Sequence, residues 1–192
     1  MVQDTLRASR KALVRFAETM ADVVDARNTF TRGHSRRTAD LARRIAGWLG
    51  LDEGHADLVR LAALWHNLGS LGVPKRIIAK PDILTLEERD LLYQHPVTGR
   101  EIVSRLPGLE PVAAWIAAHH ERPDGKGYPE MLEGGQVPLE SRIVAAADVY
   151  EALTADRPYR PAMPRDQALL VVEGLAGAQL DPVVVEALKA VV

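Results

Sequence analysis

The chain contains no cysteine. This excludes a disulfide framework, a thiolate metal site and a cysteine nucleophile. Asparagine is nearly absent too, with Asn28 and Asn67 its only two positions in 192 residues. No segment approaches the roughly 18 consecutive apolar residues that a membrane span requires. The N-terminal stretch MVQDTLRASRKALVRF lacks the apolar run of a signal peptide, so a cytoplasmic protein is expected. Excess charge is also missing. Lys and Arg number 24 against 26 Asp and Glu, a formal net charge of −2. No global basic field exists for bulk nucleic-acid binding.

What remains is a soluble globular composition, 47% hydrophobic and 26% charged. The length is that of one domain able to bury its own core. Its pattern is helical almost throughout, which predicts an all-α bundle. Val2, Leu6, Ser9, Leu13, Phe16, Met20 and Val23 recur at alternating steps of four and three, a heptad stripe over residues 2–23. Residues 1–24 are therefore expected as an N-terminal helix preceding the domain at 25–192. The stripe can pack on its own domain, form the seam of a homodimer or continue a signalling helix. Further helices are expected over about 35–49, with Leu41, Ile45, Trp48 and Leu49 inward, and over 53–66. Another begins at Thr85 and is kinked or broken at Pro96. The remaining helices are expected over 110–120, 141–154, 165–174 and 181–191. Residues 121–138 read as a turn-rich loop.

Five of the six histidines and one aspartate lie where apolar helices and turn signals meet: His34, His66, His95, His119, His120 and Asp148. The gaps between successive sites are 32, 29, 24 and 28 residues, each about one helical hairpin. A bundle can bring such side chains together in its core, one from each helix. Adjacent helical residues point about 100° apart, so the His119–His120 doublet reaches one cavity only near a helix end. Pro123 and Gly125 supply that end. Imidazole and carboxylate ligands suit Fe, Mn or Zn over Mg. Two such ions about 3.5–4 Å apart can clamp a phosphate for in-line displacement. The spacing points to a metal site and leaves the reaction open. His55, in LDEGHADL, is assigned no role.

These motifs resemble the HD-GYP domain family. HHERPDGKGYP at 119–129 is similar to the signature loop of that family, and PLESRIVAAADVYEALTADRPYR at 138–160 to the segment that follows it. TRGHSRR at 31–37, QHPVTGREI at 94–102 and DPVVVEAL at 181–188 match as well, so the resemblance covers residues 20–190. It implies a helical, metal-dependent phosphodiesterase that acts on or binds cyclic di-GMP. It also implies two or three divalent ions, with Fe or Mn favoured and Zn or Mg open. By match, His34, His66, His95, His119, His120 and Asp148 resemble metal ligands, joined by the upstream carboxylate Asp25. Tyr128 and Arg160 look like contacts to substrate phosphate.

Four positions depart from the family pattern. Where the family has His-Asp, this chain has His66-Asn67, and where Gly-Lys usually follows it has Gly69-Ser70. The upstream Glu-x-Arg-Asp is Asp25-Ala26-Arg27-Asn28. Asparagine offers one neutral oxygen in place of a carboxylate. Serine cannot offset phosphate charge as lysine does. Losses of charge stabilisation weigh heavily in catalysis. The expectation is a phosphodiesterase domain with catalysis impaired at Asn67 and Ser70. The alternatives are a silent signalling module that docks a partner through the 121–138 loop, or another HD-superfamily nucleotide phosphohydrolase.

Overall fold

Alanine sets the packing distances of this bundle. Ala39, Ala42 and Ala46 on one helix, Ala62 and Ala63 on a second, and Ala146 and Ala147 on a third are all fully buried. Side chains this small let helix axes approach to the short end of the usual ~8–10 Å range. A computed structural model describes the backbone of residues 2–27, 32–80, 82–156 and 161–192, with side chains from residue 11 onward. In chain order its helices are α1 (Val2–Asp25), α2 (His34–Trp48), α3 (Glu53–Trp65), α4 (Lys75–Ile78) and α5 (Leu86–Tyr93). They continue with α6 (His95–Val103), α7 (Glu110–Ala117), α8 (Leu139–Thr154), α9 (Arg165–Leu175) and α10 (Pro182–Val191). Two 3-10 turns, Leu68–Gly72 and Gly134–Gln136, interrupt the series. The fold is all-α, with no strand among the described residues. No helix there is long and apolar enough to cross a membrane.

Helix α2 is central and packs on α1, α3, α8 and α10. Helix α6 packs on α7 and on the Leu68–Gly72 turn, and α7 closes back on α3. Helix starts follow local chemistry. Asp52 accepts the His55 N–H, Asp181 accepts those of Val183 and Val184, and Thr85 with Glu88 forms a capping box. Helix α2 has no such local cap, because Gly33 precedes it in the left-handed region at φ 73°. Its cap comes from α1 instead. Asp25 accepts the Ser35 N–H at 3.0 Å and the Ser35 hydroxyl at 2.6 Å.

Three expectations change. The break near Pro96 falls at Gln94, and Pro96 sits in the first turn of α6, where its missing N–H costs nothing. Trp48 is 54% exposed and not inward. Among the described side chains of α1 the buried apolar residues are Ala17, Ala21 and Val24, while Leu13, Phe16 and Val23 of the heptad stripe face outward. Arg36 and Arg60 pair with Glu18 beside that buried face, and so fix which side of α1 meets α2 and α3.

Of the glycines, Gly69 is the most closely surrounded. A Cβ there would lie 1.9 Å from the His95 carbonyl oxygen and 2.4 Å from the Gly99 nitrogen. Both obstacles are backbone, so no side-chain rotation relieves them. Gly69→Ala should cost at least the ~1–3 kcal/mol typical of overpacking. Gly47→Ala, with open space around the added methyl in the last turn of α2, should gain about 0.4–1 kcal/mol by restricting the unfolded chain. Urea unfolding of the two variants measures both signs.

Candidate metal centre

Five of the six histidines reach the site from helix termini. His34 opens α2 and His95 opens α6, His66 follows the last residue of α3, and His119 and His120 follow α7. Asp148 is the exception and projects from the middle of α8. The side chains converge in two groups, His34–His66–Asp148 and His95–His119–His120. Within each group one ligand atom per residue lies within 4.8 Å of the others. The groups adjoin, with the His66 and His119 rings 5.3 Å apart between centroids.

Backbone carbonyls orient three of the rings in the same way. The Nδ1 of His66, His95 and His119 lies 2.6, 2.8 and 2.6 Å from the carbonyl oxygens of Ala63, Leu92 and Ile116, each three residues earlier. A carbonyl only accepts, so Nδ1 carries the proton and Nε2 presents a lone pair. The Nε2 atoms of His95 and His119 then face each other at 3.4 Å. Two lone pairs converging in a buried setting are what a cation would satisfy. This donor set fits a divalent metal, and neutral imidazoles are the form that binds one.

His34 is held differently. Its Nδ1 bonds Glu151, and its Nε2 lies 3.1 Å from Asp148. Burial alone would strip its charge, but the two carboxylates outweigh that and raise its pKa to about 10. Asp148 shows the converse. Burial would raise its pKa, yet His34 and the neighbouring rings hold it well below the usual carboxylate range. Burial lowers the pKa values of His66 and His119 as well, that of His95 to about 4 and that of His120 to about 3.

Asn67 lies directly on the site. Its Nδ2 donates to His66 Nε2 at 2.7 Å. With Asp25, Ser70 and His95 it lines a cavity of about 130 Å3. Asp25, expected as a ligand, stands outside both groups and serves as the cap of α2. Tyr128 stacks on Tyr93 at 4.0 Å and on His120 at 4.8 Å, next to the second group. Burial, with Tyr93 and Asp148 nearby, raises its phenol further, so it keeps its proton as a donor. Arg160 and Asn28 lie outside the described residues. His55, given no role, stacks on Trp115 and bonds Glu140 away from both groups.

Sequence reasoning missed two carboxylates. Glu151 is buried and bridges His34 to Arg37. Its signal was the spacing of three from Asp148, which puts both acids on one face of α8. Glu121, third in the HHE element, is buried and accepts the N–H groups of Glu130 and Leu132, which pins the 121–138 loop.

The chain belongs to the HD domain family, whose pattern it matches over residues 18–184. The HD-GYP resemblance of its motifs agrees with that membership. It is similar to 3'3'-cGAMP-specific phosphodiesterase 3 of Vibrio cholerae, 38% identical over 167 residues that cover 87% of this chain and 36% of that protein. It is also similar to a cyclic di-GMP phosphodiesterase of Thermotoga maritima, 39% identical over 163 residues, 84% of this chain and 44% of that protein. The chain therefore spans less than half the length of these curated relatives. A crystal structure of a cyclic GMP-AMP specific phosphodiesterase from V. cholerae shares the fold, with a TM-score of 0.69 at 21% identity, over 91% of this chain and 48% of that one.

The buried histidines give stability a pH dependence in the metal-free protein. Unfolded histidine protonates near 6.5, whereas His95 resists until about 4 and His120 until about 3. Below pH 6.5 the unfolded chain binds protons that the folded one refuses, so stability falls as pH falls through that window. His34 has the opposite sign. Its contribution is complete below 6.5 and is lost as pH rises through about 10. With chelator present, urea midpoints should decline on both sides of a maximum near pH 6.5. A flat profile between pH 6.5 and 4 would contradict the burial of neutral rings.

Proposed function

We propose that the chain is a metal-dependent cyclic dinucleotide phosphodiesterase domain, acting on cyclic di-GMP or a close relative, whose turnover is slowed by Asn67 and Ser70. The observation that carries this reading is the pair of adjoining ligand groups, His34–His66–Asp148 and His95–His119–His120. Cyclic dinucleotide phosphodiesterase names among the relatives support the substrate class. Imidazole-rich donors favour Fe or Mn, with Zn or Mg as weaker candidates. A divalent ion bound there supplies Lewis acidity toward a phosphoryl oxygen.

The chain's own residues bind and orient. The cavity of about 130 Å3 beside Asn67 and Ser70 has room for a phosphate and not for a whole cyclic dinucleotide. The rest of the ligand would lie over the Tyr128–Tyr93 pair. Tyr128 is held between two rings and keeps its proton, so it can donate to a phosphate oxygen without reorganising. Arg160 is assigned the second phosphate contact, for which a planar guanidinium is apt. Ser70 brings a hydroxyl where a cation would stabilise developing charge. Asn67 adds no negative charge to the metal centre.

We assign the outward stripe of α1 to a homodimer seam, since Leu13 and Phe16 are 68% and 60% exposed at heptad spacing. The 121–138 loop, held in shape by Glu121 and presenting exposed Met131, is the surface we assign to a signalling partner in the cytoplasm.

Three measurements test these assignments. Protein loaded with Mn or Fe should bind cyclic di-GMP and release linear dinucleotide slowly. The Asn67→Asp/Ser70→Lys double variant should turn over at least about tenfold faster, the minimum change of one lost charge interaction. Absence of both binding and product would sink the reading. Equal rates in the two proteins would remove the impairment. Tyr128→Phe should lower kcat/KM about tenfold through loss of one donor. Leu13→Glu with Phe16→Glu should shift sedimentation to the monomer.

A further inference from the structure

We infer that Asn67 makes the two ligand groups unequal, so that His95–His119–His120 takes a divalent cation tightly and alone while His34–His66–Asp148 takes a second one only weakly. This rests on the metal-dependent reading above and goes beyond it by ordering the two sites. The difference lies in what each ligand atom is already doing. In the first group every ligand atom has a partner within the protein. His66 Nε2 accepts the Asn67 amide at 2.7 Å, and His34 Nε2 sits 3.1 Å from the Asp148 carboxylate. His34 is further anchored through Nδ1 to Glu151, itself gripped by Arg37. A cation entering there must turn the amide away and part His34 from Asp148. Breaking satisfied buried hydrogen bonds offsets much of what coordination gains.

The second group needs no such exchange. His95 and His119 are aligned by the Leu92 and Ile116 carbonyls, and their Nε2 lone pairs already converge at 3.4 Å. His120 is fixed against both, 5.0 Å from His95 and 4.0 Å from His119 between ring centroids. Among the described residues no amide donates to these nitrogens. The site is preorganised, and preorganisation raises affinity by removing the cost of rearrangement. Charge works in the same direction once the first ion is in place. A second dication would sit across the 5.3 Å contact of His66 and His119. The residue beside that contact, Asn67, has no anionic oxygen to offset their repulsion.

The test is metal binding, read without substrate. Protein stripped with chelator is titrated with Mn2+ by calorimetry, with elemental analysis and electron paramagnetic resonance on the products. The unmodified chain should bind one tight ion with an isolated six-line signal. Asn67→Asp should bind a second ion at least tenfold more tightly than the unmodified chain does and show a spin-coupled pair. His120→Ala should abolish the tight ion, and His66→Ala should retain it, with circular dichroism confirming that both fold. Two equally tight ions in the unmodified chain would overturn the inference and leave the phosphodiesterase reading standing. Loss of the tight ion in His66→Ala with retention in His120→Ala would reverse the order and overturn it as well. If neither the unmodified chain nor Asn67→Asp binds Mn2+, the inference fails together with the metal-dependent reading.

Discussion

The clustering of the candidate ligand groups depends on the missing side chain of Gly69. The Leu68–Gly72 turn lies against the start of α6 so closely that the Gly69 Cα faces the His95 carbonyl and the Gly99 amide with no room for a methyl. Gly99 is less tightly constrained, a Cβ there coming 2.9 Å from the Ile116 side chain and 3.5 Å from the Gly69 nitrogen. Two glycines thus stack the turn, α6 and α7 in sequence. His66 and Asn67 precede that turn, His95 opens α6, and His119 follows α7. The 5.3 Å spacing of the His66 and His119 rings is inherited from backbone packing and not from attraction between the histidines. Rings whose lone pairs converge would otherwise repel, so the fold must impose the spacing.

Helix α1 fastens the other edge of the centre. Through Asp25 it caps α2 one residue beyond His34. Through Arg27 it holds the carbonyls of Ser70 and Val73 at 2.7 and 2.6 Å, on the turn that follows Asn67. Charge-assisted contacts from the end of α1 therefore hold two of the three elements of the His34 group, α2 and the turn after His66. Among the described side chains, the buried apolar residues of α1 are the small Ala17, Ala21 and Val24. Any displacement of α1 along its axis must be absorbed by these bonds, next to His34 on one side and Asn67 on the other. The second group touches neither bond, which is a further way in which the two groups differ.

Much of this was legible in the sequence. The five clustered histidines stood out because each sits where a helical pattern meets a turn signal, and termini are where side chains of different helices can converge. The helices themselves followed from periodicity and caps. Partnership was less legible. The heptad spacing of α1 marked an apolar stripe correctly, but burial went to the alanines one position along, which suit the close approach to α2 and α3. Trp48 fitted the inward face of α2 by spacing and is exposed because that face ends before the helix does. Asp25 read as a ligand because its chemistry and motif allowed it. Only the tertiary fold shows that α2 begins after Gly33 without a cap of its own and draws on Asp25 for one. Glu151 was hidden for the converse reason. A carboxylate within an alanine-rich helix reads as a solvated charge until His34 and Arg37 are placed against it.

Four buried or half-buried imidazoles held neutral are an expensive feature for a domain of this size. Aliphatic replacements of similar volume would remove the converging lone pairs and the acid sensitivity together, as replacement of buried polar groups often does. A cation changes that balance, because any ligand that binds only the folded state adds its binding free energy to stability, about 2.7 kcal/mol at a hundredfold excess over Kd. The His95–His119–His120 group is therefore a local weakness in the metal-free chain and a brace in the loaded one. The His34–His66–Asp148 group is less exposed to this trade. Its imidazole–carboxylate contacts and the Asn67 amide already satisfy it, so the metal-free fold is stable there. An aspartate at position 67 would exchange that self-sufficiency for charge, adding a carboxylate beside Asp148 that only cations could balance. Asparagine at this position thus favours the fold in the metal-free state at the expense of the second ion.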